Sequence, residues 1–88
     1  MYNKGKYIVG EIKTEYGTSV TALCFNEVVS HDTFRNMFTE IYGAGFFSVI
    51  DDRKVTAYDK SVSLNVKSRG EQDELQILRA LGMGDPYA

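Results

Sequence analysis

VVSHDTFRNMFTEIYG, residues 28–43, carries the chain's only histidine, and its reading decides the fold. Phe34, Met37, Phe38, Ile41 and Tyr42 recur at i, i+3, i+4, i+7 and i+8, which draws one apolar stripe down a helix. Ser30 suits the N-cap, and Val29 and Phe34 take the two places of a hydrophobic staple. Asp32 then meets the positive end of the helix dipole, and Gly43 stands where a glycine ends a helix. The spacing therefore predicts an amphipathic helix that begins at Ser30 and stops at Gly43.

A rival reading takes Cys24, His31 and Asp32 as nucleophile, base and orienting carboxylate. A catalytic thiol needs a lowered pKa and a base within hydrogen-bond reach. Cys24 falls in a strand pattern beside Val20 and Ala22, where a lone cysteine packs as a small hydrophobe. Asp32 follows His31 directly, and neighbours at i and i+1 do not face each other on a helix. His31, at the first helical position, is expected to point partly to solvent. The stretch is read as the start of a helix.

Upstream, KYIVGEIKT and SVTALCFN are rich in β-branched residues and separated by a short glycine-containing loop. They predict an antiparallel hairpin. Downstream, GFFSVI and KVTAY flank Asp51-Asp52-Arg53, a second tight hairpin. SVSLNV alternates, with Val62, Leu64 and Val66 on one side. Its phase disagrees with Val55 and Ala57, so residues 54–67 form either one bulged strand or, as favoured here, two strands broken at Asp59-Lys60. Leu75, Leu78 and Leu81, widened by Ile77, predict a second helix, with Ser68 and Glu71 at capping-box spacing, Gly82 as its stop and Pro86 beyond. The expected fold is a single α+β domain over residues 1–88, an antiparallel sheet of four to five strands with two helices in the order ββαββ(β)α.

Composition narrows the functions. One cysteine in 88 residues excludes an internal disulfide framework, and with one histidine no Cys/His cluster of zinc-site spacing can be assembled. No metal or cofactor site is expected, and the chain is read as non-catalytic. The stretch MYNKGKYIVGEIK lacks a signal peptide's apolar run, and no run of 18 apolar residues occurs, so a cytoplasmic protein without a membrane span is expected. The glycines of GAGFFSVI follow a helix pattern and open a strand, the reverse of a dinucleotide-binding loop. Laid against the RNA-recognition-motif core pattern, the same stretch keeps both glycines and Phe46 but lacks the basic first residue and two aromatics.

Two partner classes remain. The strands around Tyr7–Ile12, Val20–Phe25 and Phe46–Ile50 are apolar at both parities, whereas a sheet covered on one side should alternate. With both helices expected on one face, the other is left to a second molecule. That favours a small interaction protein, a homodimer or a binder of a heterologous protein, with Leu23, Phe25, Phe47 and Val49 as contact residues. The alternative rests on charge. The net charge is −2, yet residues 51–69 sum to +2 (Arg53, Lys54, Lys60, Lys67 and Arg69 against Asp51, Asp52 and Asp59). Lys6, Tyr7, Lys54, Tyr58, Lys60 and Lys67 would serve a single-stranded nucleic acid if they shared an open face.

Overall fold

Tyr7, Ile8 and Val9 are consecutive, and all three are without solvent exposure. Successive side chains of a strand point to opposite faces, so a run buried throughout demands cover on both sides. The structure, a computed structural model that describes residues 3–82, supplies that cover from within the chain. Pro86 lies outside the described residues.

The strand is β1 (Lys4–Thr14), which forms a hairpin with β2 (Gly17–Phe25) through a turn at Glu15-Tyr16. β3 (Glu40–Asp51) lies against the other side of β1, and β4 (Lys54–Tyr58) follows through a turn at Asp52-Arg53, one residue shorter than the expected Asp51-Asp52-Arg53 because Asp51 pairs with Lys54. All pairings are antiparallel, and the order is β2-β1-β3-β4. A register shift at Val9/Gly10 makes a bulge in the β1–β3 ladder. At Asp59, in the left-handed region at φ 66°, the chain leaves this sheet. It makes a two-stranded ribbon of β5 (Lys60–Ser61) and β6 (Val66–Lys67), then the helix α1 (Glu71–Ala80).

Two cores result. On one face Tyr7, Val9, Phe47, Val55 and Ala57 pack against Ile77 of α1, with Leu78 and Leu81 beside them. On the other, Ile8, Phe25 and Ala44 pack with Leu64, Phe34, Phe38 and Ile41. The sheet is thus sandwiched, and the expectation that both helices return to one face is corrected. The cause is topological: the first helical segment leaves an edge strand, whereas α1 is reached through the β5–β6 ribbon.

The segment after Ser30 is a 3₁₀ helix, His31–Met37, rather than an α-helix running to Gly43. Ser30 caps it as expected, its side chain accepting the Asp32 N–H at 3.3 Å. Phe38 is already extended, and Ile41, Tyr42 and Gly43 belong to β3. Phe34, Phe38 and Ile41 do reach one core, so the stripe marked a shared destination rather than one helix. Thr39, Ile41 and Tyr42 are strand-favouring residues, and pairing with β1 takes them.

Residues 61–66 are not one strand either. The break falls at Asp59, on the two-strand side of the expectation, but 62–65 form a turn, with Val62 exposed and Leu64 buried. In α1 the stripe is rotated: Asp73 and Ile77 are buried while Leu75 is 51 % exposed. Gly70, at φ 62°, is the N-cap, without a side-chain cap, and Ser68 instead accepts the Gly70 N–H at 3.1 Å. The rotation places the Asp73 carboxylate directly over Gly43, where a Cβ would collide with it. Tyr7 Oη lies 2.6 Å from Asp73 Oδ2 and 2.7 Å from Ser68 Oγ. Its one proton goes to the carboxylate, so the serine hydroxyl donates to Tyr7.

Candidate anion-binding face and cleft

The sequence-predicted site residues separate into three places. Cys24 is part-buried on the α1 face, packed against the Tyr7 core, and burial pushes its thiol up to about 12. His31 lies on the opposite face, between Phe25 and Phe46 at ring-centroid distances of 5.5 and 5.9 Å. A sheet therefore stands between thiol and imidazole. Asp32 is exposed and faces Arg35 at 3.9 Å, so the three residues do not assemble.

His31 is not partly solvent-facing, as expected, but 4 % exposed. Its Nε2 lies 2.8 Å from the Gly45 carbonyl oxygen. A carbonyl only accepts, so Nε2 carries the proton and Nδ1 is the acceptor in the neutral ring. Among the described residues no fully buried side-chain nitrogen or oxygen lacks a partner. Nδ1, which has no hydrogen-bond partner among the described residues, therefore keeps some contact with solvent. Burial, and then the nearby Lys6 charge, hold the ring's pKa below its ordinary value, against the opposing pull of the Gly45 carbonyl.

The proposed contact residues Leu23, Phe25, Phe47 and Val49 do not share a surface. Phe47 and Val49 pack under α1, and Leu23 and Phe25 pack in the 3₁₀ core. Phe47 is wholly buried and Phe25 nearly so. Each face has its own packing segment within the chain, so apolar character at both parities does not by itself call for a second molecule.

The cationic set fares differently. Tyr7 is buried in the α1 core, held by Asp73, with its phenol pKa raised well above the ordinary value by burial and by that hydrogen bond; it offers no stacking face. Lys6, however, pairs with Phe46 across β1–β3, and Phe46 with Tyr58 across β3–β4. The three share one face of the sheet, beside the next row of Lys4, Ser48 and Thr56. The 3₁₀ helix and the ribbon cover only part of this face. The Phe46 and Tyr58 rings stack with centroids 6.2 Å apart, and Lys6 Nζ sits 5.8 Å from the Phe46 centroid. Lys54 follows on the same side by alternation, four residues from Tyr58 along β4.

Where the covered part begins, a cleft of about 330 Å³ opens, lined by Lys6, Ser30, His31, Phe46, Lys60, Val62 and Ser63. Lys6 Nζ donates to the Val29 carbonyl at 2.9 Å and keeps two further N–H groups. Lys60 and Lys67 are direct cross-strand partners in the ribbon. Like charges so placed repel, and an anion between them would relieve it. Glu27 approaches Lys4 at 3.9 Å, but among the described residues no carboxylate lies within 4 Å of Lys6, Lys60 or Lys67.

Phe46, His31 and the two serines are the members sequence reasoning missed. Phe46 is visible in the sequence as one of an aromatic pair; its place between Lys6 and Tyr58 depends on the long-range β1–β3 register. No group of three or more His, Cys, Asp or Glu side chains able to hold a metal occurs among the described residues. No described helix is long and apolar enough to cross a membrane. No family model, curated protein or solved structure matches this chain.

Proposed function

We propose that this protein is a small, non-catalytic binding module for single-stranded nucleic acid, engaging it on the half-open sheet face and the adjoining cleft. One observation carries the reading: Lys6, Phe46 and Tyr58 form a single cross-strand row that runs into a cleft carrying Lys60. Single strands are held by cations tracking phosphates and aromatic faces stacking bases, and this row offers both within one strand spacing of each other. Ser30 and Ser63 add hydroxyls that donate to phosphate oxygens. The overall negative charge does not oppose this, because local field rather than net charge steers a polyanion. Lys54, at the far end of β4, extends the track, and Lys67 reinforces Lys60.

Fluorescence anisotropy of a labelled short oligonucleotide, titrated with protein at low and moderate salt, tests the reading. The expected result is binding at low salt that weakens as salt rises, and that falls when Tyr58 or Lys60 is replaced by alanine. Absence of binding to pyrimidine and purine strands alike at low salt rejects it.

A further inference from the structure

The open part of the half-covered sheet face has a closed end. Next to Lys6 and Phe46 along β1 and β3 come Ile8 and Ala44, both without solvent exposure and packed with Leu64, Phe34 and Phe38. In the opposite direction the row of Lys4, Ser48 and Thr56 contains no buried residue. A single strand lying on this face therefore runs out of open sheet where the cleft begins. What it presents there is an end.

The charge of the cleft suits an end group better than a mid-strand linkage. Lys6 Nζ is already held by the Val29 carbonyl and lies 5.8 Å from the Phe46 centroid, so little freedom is lost when it meets an anion. Lys60 lines the cleft, and Lys67, directly across the ribbon from it, projects to the same side. Ser30 accepts the Asp32 N–H and keeps its own hydroxyl hydrogen to donate. A phosphodiester carries one negative charge, which one lysine matches. A phosphomonoester carries about −1.5 to −2 at pH 7 and offers three acceptor oxygens. The cleft volume of about 330 Å³ is at the small end of ligand sites, which span about 300–1,000 Å³.

We infer that the cleft is an end-binding site, in which Lys6 and Lys60 hold the terminal phosphomonoester of a single strand whose remainder leads out over Tyr58. This rests on the nucleic-acid reading above and adds strand-end specificity to it.

Competition anisotropy tests it, with unlabelled strands of one sequence displacing a labelled strand. The competitors carry a 5′-phosphate, a 3′-phosphate or hydroxyls at both ends. One phosphorylated form should compete about tenfold better than the hydroxyl form, the worth of one added charge-assisted hydrogen bond, and the end that gains gives the polarity. Lys60 is exposed, so Lys60→Ala leaves the fold intact, as circular dichroism verifies, and it should erase the advantage. Lys13→Ala should keep it. His31 lines the cleft and is the only imidazole, so its NMR signals should move further with the preferred phosphorylated strand than with the hydroxyl form. Equal competition by all three strands overturns the inference, while their binding leaves the nucleic-acid reading standing. So does an advantage that survives Lys60→Ala, or an equal gain from a hydroxyl-ended strand one nucleotide longer, which adds charge without an end group. Thymidine monophosphate competing as well as the phosphorylated strand also overturns it, since a free nucleotide would then suffice. Failure of every strand to bind rejects the nucleic-acid reading itself, and the inference with it.

Discussion

Asp73 has no exposed surface, and a carboxylate in that position is stable only while its lone pairs are occupied. Tyr7 Oη, the Arg69 backbone N–H and Arg69 Nε occupy them at 2.6, 2.8 and 2.8 Å. Tyr7→Phe removes the buried donor and should lower unfolding free energy by about 1–3 kcal/mol. Gly43→Ala pushes a methyl into the same carboxylate and should cost about 3 kcal/mol. Urea denaturation measures both, and a Gly43→Ala protein of unaltered stability would refute the contact. His31 gives a pH prediction. Its folded pKa is depressed below the unfolded value near 6.5, so the folded state binds fewer protons. Its contribution to stability is complete above about pH 6.5 and is lost as pH falls from there towards the folded pKa. Because the ring is the only imidazole in the chain, one NMR titration reads it without assignment. An ordinary or raised midpoint would contradict its burial.

At the scale of elements, what was legible was what local chemistry sets. Alternating β-branched runs and the turn residues of Asp51-Asp52-Arg53 marked both main hairpins, and Ser30 marked a real helix start. The stripe from Phe34 to Tyr42 failed because a helix and a strand can deliver side chains to the same core, and β1 competes for residues 40–43 with sheet hydrogen bonds. SVSLNV failed for the opposite reason: its alternation is local, but no neighbouring strand was available to use it. The face of α1 was misjudged because its buried centre is a carboxylate, Asp73, which a hydrophobic stripe cannot reveal. The hydrogen bond from the Ala57 N–H of the edge strand β4 to Glu74 Oε2, 2.9 Å, was equally hidden, since Glu74 and Ala57 are far apart in sequence. Glu74→Ala leaves a nearly buried N–H without its acceptor and should cost about 1–2 kcal/mol by thermal or urea unfolding. A neutral result would show that solvent replaces the carboxylate at no cost.

For the whole molecule, the decisive fact is that each face of the sheet is covered by a different segment, α1 on one and the 3₁₀ helix and ribbon over only part of the other. The sequence showed apolar strands at both parities but not where the covering segments would land, because that depends on strand order. Partial cover leaves the Lys6–Phe46–Tyr58 row open beside a cleft, and salt dependence separates what its members do. Each phosphate neutralised on a single strand contributes a slope of about −0.7 in log K against log salt. Lys6, Lys54, Lys60 and Lys67, the lysines placed on the track, should together give a slope of about −3. Replacing any one of them by alanine should reduce its magnitude by about 0.7. Tyr58→Ala should behave otherwise, weakening binding by about 1–3 kcal/mol at every salt concentration and leaving the slope unchanged, because a stacked ring releases no counterion. Lys13, paired with Thr18 at the far end of the β1–β2 hairpin, is the control, and Lys13→Ala should alter neither quantity. If Lys13→Ala flattens the slope as much as Lys60→Ala does, the strand is held by diffuse charge and the cleft has no special part in holding it.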